Sequence, residues 1–120
     1  MTRILIIDDD PGIRDILKII FERAGYQAIM ESGGECVLHD DYELPDIFLL
    51  DRYLSGTDGL EICRHLKSSP YSANIPVIML SATPDLAPLA IAAGADDFIE
   101  KPFDITDILK IVEKHTALHV

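Results

Sequence analysis

The chain is poor in cysteine and in basic residues, and it contains no tryptophan. Its two cysteines, Cys36 and Cys63, are far apart and belong to no Cys/His cluster. This excludes a disulfide framework and a thiolate zinc site, and predicts free thiols in a reducing, cytoplasmic compartment. Lys and Arg total 10 against 21 Asp and Glu, for a net charge of −11. That charge argues against direct binding to nucleic acid or to an anionic membrane surface.

Long apolar runs are also missing from the chain. Asp8 interrupts the first apolar run too early for a signal peptide, and no later run is long enough to cross a bilayer. Internal repeats, low-complexity segments and linkers are missing as well. Because a chain of 120 residues can bury a core of its own, we expect one domain spanning residues 1–120.

Short apolar runs are what the chain has instead. The strongest lie at residues 4–7, 47–50 and 75–80, and shorter ones lie at 26–30 and 98–99. Runs of this kind are typical of strands that are buried on both faces of a sheet. Segments with helical periodicity alternate with them. The pattern predicts an α/β domain in which a five-stranded parallel sheet has helices on both faces.

Local signals predict the ends of three helices. Asp10 and Pro11 suit the N-cap and first position of the first helix, and Gly25 suits the position just beyond its end. Asp58 and Asp104 are predicted to cap the third and fifth helices. The inward face of the fifth helix is predicted to comprise Ile105, Ile108, Leu109 and Val112.

The second and fourth helices carry weaker signals. Ser32 and Glu35 suggest a capping box for a helix that runs to about His39. Pro84 and Pro88 interrupt the fourth helical segment, and a proline inside a helix costs about 3 kcal/mol. We therefore expect a fourth helix that is short and starts near Pro88, or one that is irregular, and we hypothesise that this segment is mobile.

Polar side chains stand at or just after the ends of four apolar runs. Asp8 and Asp9 follow the first run, Asp51 and Ser81 follow two later ones, and Lys101 comes soon after the last. The carboxyl ends of parallel strands share one edge of a sheet, where ligands bind. Each residue alone would be an ordinary strand end, cap or surface lysine. Together they suggest a Mg²⁺ site, because Mg²⁺ takes a few carboxylate oxygens and keeps several waters.

The same segments, in this order, resemble the receiver domain of two-component response regulators over the whole chain. The segments that carry the resemblance are IIDDD at 6–10, LLD at 49–51, DG at 58–59, MLSA at 79–82 and GADDFIEKPF at 94–103. The resemblance implies a single receiver domain over residues 1–120. It also implies a doubly wound, flavodoxin-like sheet with strand order 2-1-3-4-5.

The resemblance implies a role for each acidic residue. Asp51 would accept a phosphoryl group from the phosphohistidine of a sensor histidine kinase. The domain would then catalyse only its own phosphorylation and dephosphorylation, and would not be an enzyme for other substrates. The implied direct ligands of Mg²⁺ are Asp9, Asp51 and the backbone carbonyl of Tyr53, and Asp8 would act through a coordinated water.

The resemblance also implies roles for residues that assist the phosphorylation of Asp51 or respond to it. Lys101 would offset the charge of the transferring group, with a cis bond to Pro102 that aims the lysine into the site. Ser81 would donate its hydroxyl to a phosphoryl oxygen, and Phe98 would move inward as Ser81 shifts. The face formed by helix four, strand five and helix five would then switch, and would bind an effector domain or a second copy of the chain.

Three features depart from the family pattern. Ser55 stands where the family usually has proline, in the loop after Asp51. Tyr53 is bulky beside the acceptor, and we expect its ring to shield an acyl phosphate from water. The interval between Ser81 and Lys101 is two residues shorter than the family norm, so the partner-docking surface is expected to be unusual.

Two rival functions stay open at this stage. A degenerate receiver would dock partners without phosphorylation. A haloacid-dehalogenase-type phosphatase also uses strand-end carboxylates, a hydroxyl and a lysine, but it would leave Asp51 idle. The residues that it would use are Asp8, Asp10, Ser81, Lys101 and the pair Asp96–Asp97.

Overall fold

Strands and helices alternate along the chain in the computed structural model, which describes residues 1–83 and 86–116. The strands of the central sheet are β1 (Arg3–Ile7), β2 (Gln27–Glu31), β3 (Ile47–Asp51), β4 (Val77–Ser81) and β5 (Asp97–Glu100). The helices are α1 (Pro11–Arg23), α2 (Glu35–Leu38), α3 (Gly59–Ser68), α4 (Leu86–Ala92) and α5 (Ile105–Thr116). A small hairpin between β3 and α3 pairs Tyr53–Leu54 with Thr57–Asp58. No helix in the described ranges is both long and apolar enough to cross a membrane.

The central sheet is parallel throughout, and its strand order is β2-β1-β3-β4-β5. This confirms the predicted five-stranded, doubly wound α/β fold. The chain moves from β1 outward to β2 and then returns to the other side of β1 to form β3. The winding direction therefore reverses between β1 and β3, which is where ligands bind in such sheets.

Apolar side chains fill both faces of the sheet. One buried cluster joins the strands to α2, α3 and α4, and it includes Val37, Leu66 and Ala93. The other joins the strands to α1 and α5, and it includes Phe21 and Val112. Successive residues of a strand point to opposite faces, so β1 and β3 need unbroken apolar runs. The two clusters hold the carboxyl ends of these strands in fixed positions.

Most of the predicted helix ends are confirmed. The carboxylate of Asp10 accepts hydrogen bonds from two amides in the first turn of α1, at 2.8 and 3.3 Å. The carboxylate of Asp58 accepts one from the Leu60 amide at 2.9 Å. Gly25 follows α1 with a φ of +96°, a left-handed conformation that glycine adopts without strain. Asp104 directly precedes α5, and its backbone carbonyl accepts two amides of the first turn.

The predicted capping box of α2 is wrong. The helix has only four residues, and its N-cap is Gly34, with no side-chain cap. A Cβ on Gly34 would overlap the side chain of Ile62 in α3. Close packing between α2 and α3 therefore sets the start of this helix, and the local pairing of Ser32 with Glu35 does not.

The fourth helix is short, as predicted, with seven residues, but it begins before Pro88. Pro88 is its third residue, and backbone nitrogens in a first helical turn have no intrahelical acceptor. The proline therefore removes no hydrogen bond, and the expected cost does not arise. Pro84 lies outside the described residues, and the hypothesis that this segment is mobile stays a prediction.

One prediction about α5 is also wrong. Ile108 and Val112 are fully buried and Leu109 packs against the same cluster, but Ile105 is 57% exposed. Ile105 is the first residue of α5 and lies ahead of the turn that enters the core. Helical periodicity alone could not show where along the helix the contact with the sheet begins.

Gly59 lets α3 start directly against the end of β3. Its amide donates to the carbonyl of Arg52 at 2.6 Å. A Cβ at this position would lie far inside van der Waals contact of the Asp51 carbonyl oxygen and 2.8 Å from the Arg52 Cα. Because both obstacles are backbone atoms, a side chain here would have to displace the end of β3.

We expect the substitution Gly59→Ala to destabilise the fold by about 1–3 kcal/mol, the usual cost of overpacking. Urea unfolding followed by circular dichroism measures this change. Gly33→Ala is the matched control, because a Cβ there has no atom within 4 Å. An unchanged unfolding midpoint for Gly59→Ala would contradict the close approach of α3 to β3.

Candidate functional site

Three carboxylates meet at the carboxyl edge of β1 and β3. Asp8 and Asp9 follow β1 directly, and Asp51 is the last residue of β3. One oxygen from each of the three lies within 4.8 Å of the others. Asp8 is fully buried and Asp51 is 6% exposed, whereas Asp9 is partly exposed. The structure thus brings together the three carboxylates that the sequence places at this edge.

Lys101 supplies positive charge to the same pocket. Its Nζ lies 3.2 Å from Asp8 Oδ2 and 3.4 Å from Asp51 Oδ2. Its amide donates to the Ser81 carbonyl at 2.8 Å, and its peptide bond to Pro102 is cis. One ammonium group cannot balance three ionised carboxylates. The excess negative charge and the oxygen donors fit a hard divalent cation such as Mg²⁺.

The Asp51 carboxyl is the group whose titration the pocket perturbs most clearly. Burial raises the pKa of Asp51 to about 6, and the charge of Asp8 adds to this shift. Lys101 opposes the shift through its charge and its hydrogen bond but does not cancel it. A nearby opposite charge favours an ionised carboxylate. A cation beside Asp51 would therefore favour its nucleophilic form.

Asp8 is held by groups that sequence reasoning missed. The amide of Asp10 donates to Asp8 Oδ1 at 3.0 Å, and the guanidinium of Arg14 donates to the Asp8 carbonyl at 2.8 Å. Arg14 lies in the first part of α1, and nothing in its spacing from Asp8 marks it as a partner. The contact exists because α1 turns back toward the end of β1.

Ser81 is fully buried at the end of β4, and its hydroxyl is already engaged. Its Oγ lies 2.8 Å from Thr83 Oγ1 and accepts a hydrogen bond from the Thr83 amide at 3.1 Å. The Arg52 guanidinium reaches Thr83 Oγ1 at 3.4 Å. Sequence reasoning missed Thr83, although a serine that bonds to the backbone two residues on is a common turn.

The two aromatic residues assigned to the site have different surroundings. Phe98 pairs in register with Met79 and packs, partly buried, against the cluster that joins the sheet to α2, α3 and α4. Tyr53 opens the hairpin after β3, and the residue is 53% exposed. The Arg52 guanidinium carbon lies 5.0 Å from the centre of that ring. Arg52 thus links the hairpin to Thr83.

The acidic pair at 96 and 97 makes contacts of a different kind. Asp96 accepts a hydrogen bond from the Val77 amide at 2.8 Å and pairs with Lys67 at 2.6 Å. Asp97 is the first residue of β5, and its Oδ2 lies 2.9 Å from His115 Nε2 in α5. These carboxylates join elements of the fold. The sequence did not indicate their partners.

A family model for the response regulator receiver domain matches residues 4–113. The chain belongs to this receiver family. Its general role is therefore that of a signalling domain in two-component systems, as the resemblance in sequence implied.

Curated relatives match across most of this chain. The transcriptional regulator RpaA of Synechocystis sp. is 40% identical over an alignment of 114 positions, and the match covers 91% of this chain and 46% of RpaA. The phosphate regulon regulator PhoB of Pseudomonas aeruginosa is 37% identical over an alignment of 122 positions, and the match covers 95% of this chain and 52% of PhoB. The chain spans about half the length of these relatives.

Solved structures share the whole fold. The receiver domain of a signal transduction histidine kinase from Syntrophus aciditrophicus has a TM-score of 0.89 and 33% identity, covering 98% of this chain and 91% of that one. The response regulator TrrA of Thermotoga maritima, solved in complex with Mg(2+)-BeF, has a TM-score of 0.85 and 28% identity. That match covers 96% of this chain and 99% of the TrrA chain.

The contact between Asp97 and His115 ties β5 to α5 and has a pH signature. Burial alone would raise the pKa of Asp97. Hydrogen bonds from His115 and the Phe98 amide, together with nearby positive charge, outweigh burial and lower this pKa below 3.8, the ordinary value for Asp. The ionised carboxylate is therefore favoured by folding. Its contribution to stability is present above the ordinary value and is lost as the pH falls through the folded-state pKa.

We expect Asp97→Asn to lower the free energy of unfolding by about 1 kcal/mol near neutral pH, where the charged hydrogen bond is intact. The difference from the wild type should close as the pH falls below 3.8, the ordinary Asp value. Urea titrations across that range measure it. Asp41→Asn, which alters an exposed carboxylate, is the control. A difference that did not vary with pH would contradict this account.

Proposed function

We propose that Asp51 accepts a phosphoryl group from the phosphohistidine of a sensor histidine kinase, in a reaction that depends on Mg²⁺. Membership of the receiver family supports the signalling role in general. One observation supports the specific proposal that Asp51 is phosphorylated with the help of Mg²⁺. Asp8, Asp9 and Asp51 meet beside the ammonium group of Lys101, at the switch point of the sheet.

The carboxylate of Asp51 would act as the nucleophile. One of its oxygens would form a bond to phosphorus while the bond from phosphorus to the kinase imidazole nitrogen breaks. The imidazole would leave with the electron pair of that bond and take up a proton, and Asp51 would carry an acyl phosphate. Lys101, 3.4 Å from Asp51 Oδ2, would offset the negative charge of the phosphoryl group.

The residues that would hold Mg²⁺ are Asp8, Asp9, Asp51 and the backbone carbonyl of Tyr53. Within the described residues, the three carboxylates form the one cluster of possible metal ligands of this size. When bound, Mg²⁺ would neutralise charge as the phosphoryl group approaches an acidic pocket. The Mg(2+)-BeF complex of the similar TrrA structure supports this choice of ion.

The switch would begin at Ser81. Its hydroxyl, now paired with Thr83, would donate to a phosphoryl oxygen on Asp51, and Phe98 would move inward with it. The surface that changes would be formed by α4, β5 and α5. Ile91 in α4 is 66% exposed and Ile105 in α5 is 57% exposed, which suits contact with an effector domain or a second copy of the chain.

The proposed role also bears on where the domain would act and on whether it binds nucleic acid. A sensor kinase partner would place the domain in the cytoplasm, where the free thiols of Cys36 and Cys63 fit a reducing environment. RpaA is described as DNA-binding, and this chain matches about half of it. The net charge of −11 argues that this domain does not itself bind nucleic acid.

The rival functions fit the geometry less well. In a phosphatase of the haloacid-dehalogenase type, Asp10 and Asp96 would serve the reaction. Here Asp10 caps α1, and Asp96 pairs with Lys67. A degenerate receiver would not need the acidic pocket, whereas this chain keeps the carboxylates and places Lys101 between Asp8 and Asp51.

Incubation with Mg²⁺ and acetyl phosphate is expected to add the mass of one phosphoryl group to the chain, because Asp51 is the nucleophile. Intact-mass spectrometry measures this gain. Asp51→Asn keeps the shape of the side chain and should remain unmodified, as should the wild type in excess EDTA. Asp41→Asn is the control and should be phosphorylated normally. Full phosphorylation of Asp51→Asn would disprove the assignment of the acceptor.

Tyr53→Ala is expected to shorten the half-life of the phosphorylated chain several-fold, because the ring beside the acceptor would no longer hinder water. The decay can be followed by intact mass after removal of the phosphodonor. Tyr71→Ala serves as the control, since Tyr71 is 50% exposed and Tyr53 is 53% exposed. A half-life that Tyr53→Ala leaves unchanged would show that the ring does not shield the phosphoryl group.

A further inference from the structure

Ser55 connects two loops across the mouth of the acidic pocket. It lies in the hairpin that follows β3, and its hydroxyl donates to Asp9 Oδ2 at 3.0 Å. The two residues are 46 positions apart in the chain. Ser55 is exposed, and its hydroxyl is not needed to satisfy any part of the core. The bond therefore acts on Asp9, which is a candidate ligand of the cation.

The three carboxylates differ in how firmly they are held. Asp8 contacts Lys101 and the Asp10 amide, and Asp51 contacts Lys101. For the side chain of Asp9, Ser55 gives the one hydrogen bond found within the described residues. Asp9 is also more exposed than Asp8 or Asp51. The orientation of its carboxylate thus depends on Ser55 more than on any other described side chain.

We infer that Ser55 is a positioning residue for the Mg²⁺ site, and that its hydroxyl raises the affinity of the site by orienting Asp9. The inference rests on the proposed function, which makes Asp9 a metal ligand. A carboxylate has two oxygens with about four lone-pair positions, so Asp9 can accept this hydrogen bond and still bind a cation. Carboxylate ligands of metals are generally held by such outer hydrogen bonds.

The contact depends on the presence of serine at position 55. Ser55 stands where the resemblance to the family led us to expect proline, and proline has no side-chain donor. The hairpin loop here would therefore contribute a specific contact to the metal site. Since the contact joins the loop after β3 to the loop after β1, cation binding and the closure of these two loops would reinforce each other.

Titration of the unphosphorylated chain with MgCl₂ by isothermal calorimetry tests the inference without any phosphoryl transfer. Ser55→Ala is expected to weaken Mg²⁺ binding about tenfold, the usual effect of losing an outer partner of a metal ligand. Ser55→Thr keeps a hydroxyl and should restore most of the affinity. Ser32→Ala is the matched control, because Ser32 is exposed and lines the same cleft as Ser55.

A second measurement separates positioning from folding. Urea unfolding of each variant in EDTA should give the wild-type midpoint, because Ser55 is exposed and supports no core contact. Wild-type affinity in Ser55→Ala, or an equal loss in Ser32→Ala, would overturn the inference and leave the proposed function intact. If the wild type itself bound no Mg²⁺, the proposed function would fail instead.

Discussion

The attraction of one ammonium group for two buried carboxylates is the interaction on which the rest of this structure depends. Asp8 is fully buried, and an unpaired buried carboxylate is strongly unfavourable. Lys101 makes its burial possible, although the two residues are 93 positions apart. The pocket can therefore form only when β1, β3 and β5 are all in the sheet. Its residual negative charge is what would make it selective for a small, hard cation.

The contacts of the pocket extend outward along the elements that would carry a signal. Ser81 bonds to Thr83, just before α4, and the amide of Lys101 bonds to the end of β4. A hydrogen bond between Asp97 and His115 holds β5 to α5. In the proposed function, these contacts would carry a change at Asp51 from Lys101 to the ends of β4 and β5.

Much of this arrangement could be predicted because it follows from local rules. Unbroken apolar runs identified the strands, Asp10 and Asp58 identified helix starts, and the strand ends identified the candidate ligands. The errors arose where packing overrides local preference. Gly34 starts α2 because Ile62 occupies the space beside it, and Ile105 is exposed because the contact of α5 begins one turn later. No local signal pointed to the hydrogen bond from Ser55 to Asp9.

The amino-acid sequence by itself determined where the buried strands lie, which residues stand at strand ends, and which family the chain resembles. Periodicity and residue type are sufficient for these features, since each depends on neighbours within a few positions. Only the tertiary structure decided how the side chains pair across distant segments. It placed Lys101 between Asp8 and Asp51, Ser55 on Asp9, and His115 on Asp97. Such pairings depend on where loops lie in space, and loop positions are set by the packing of the whole sheet.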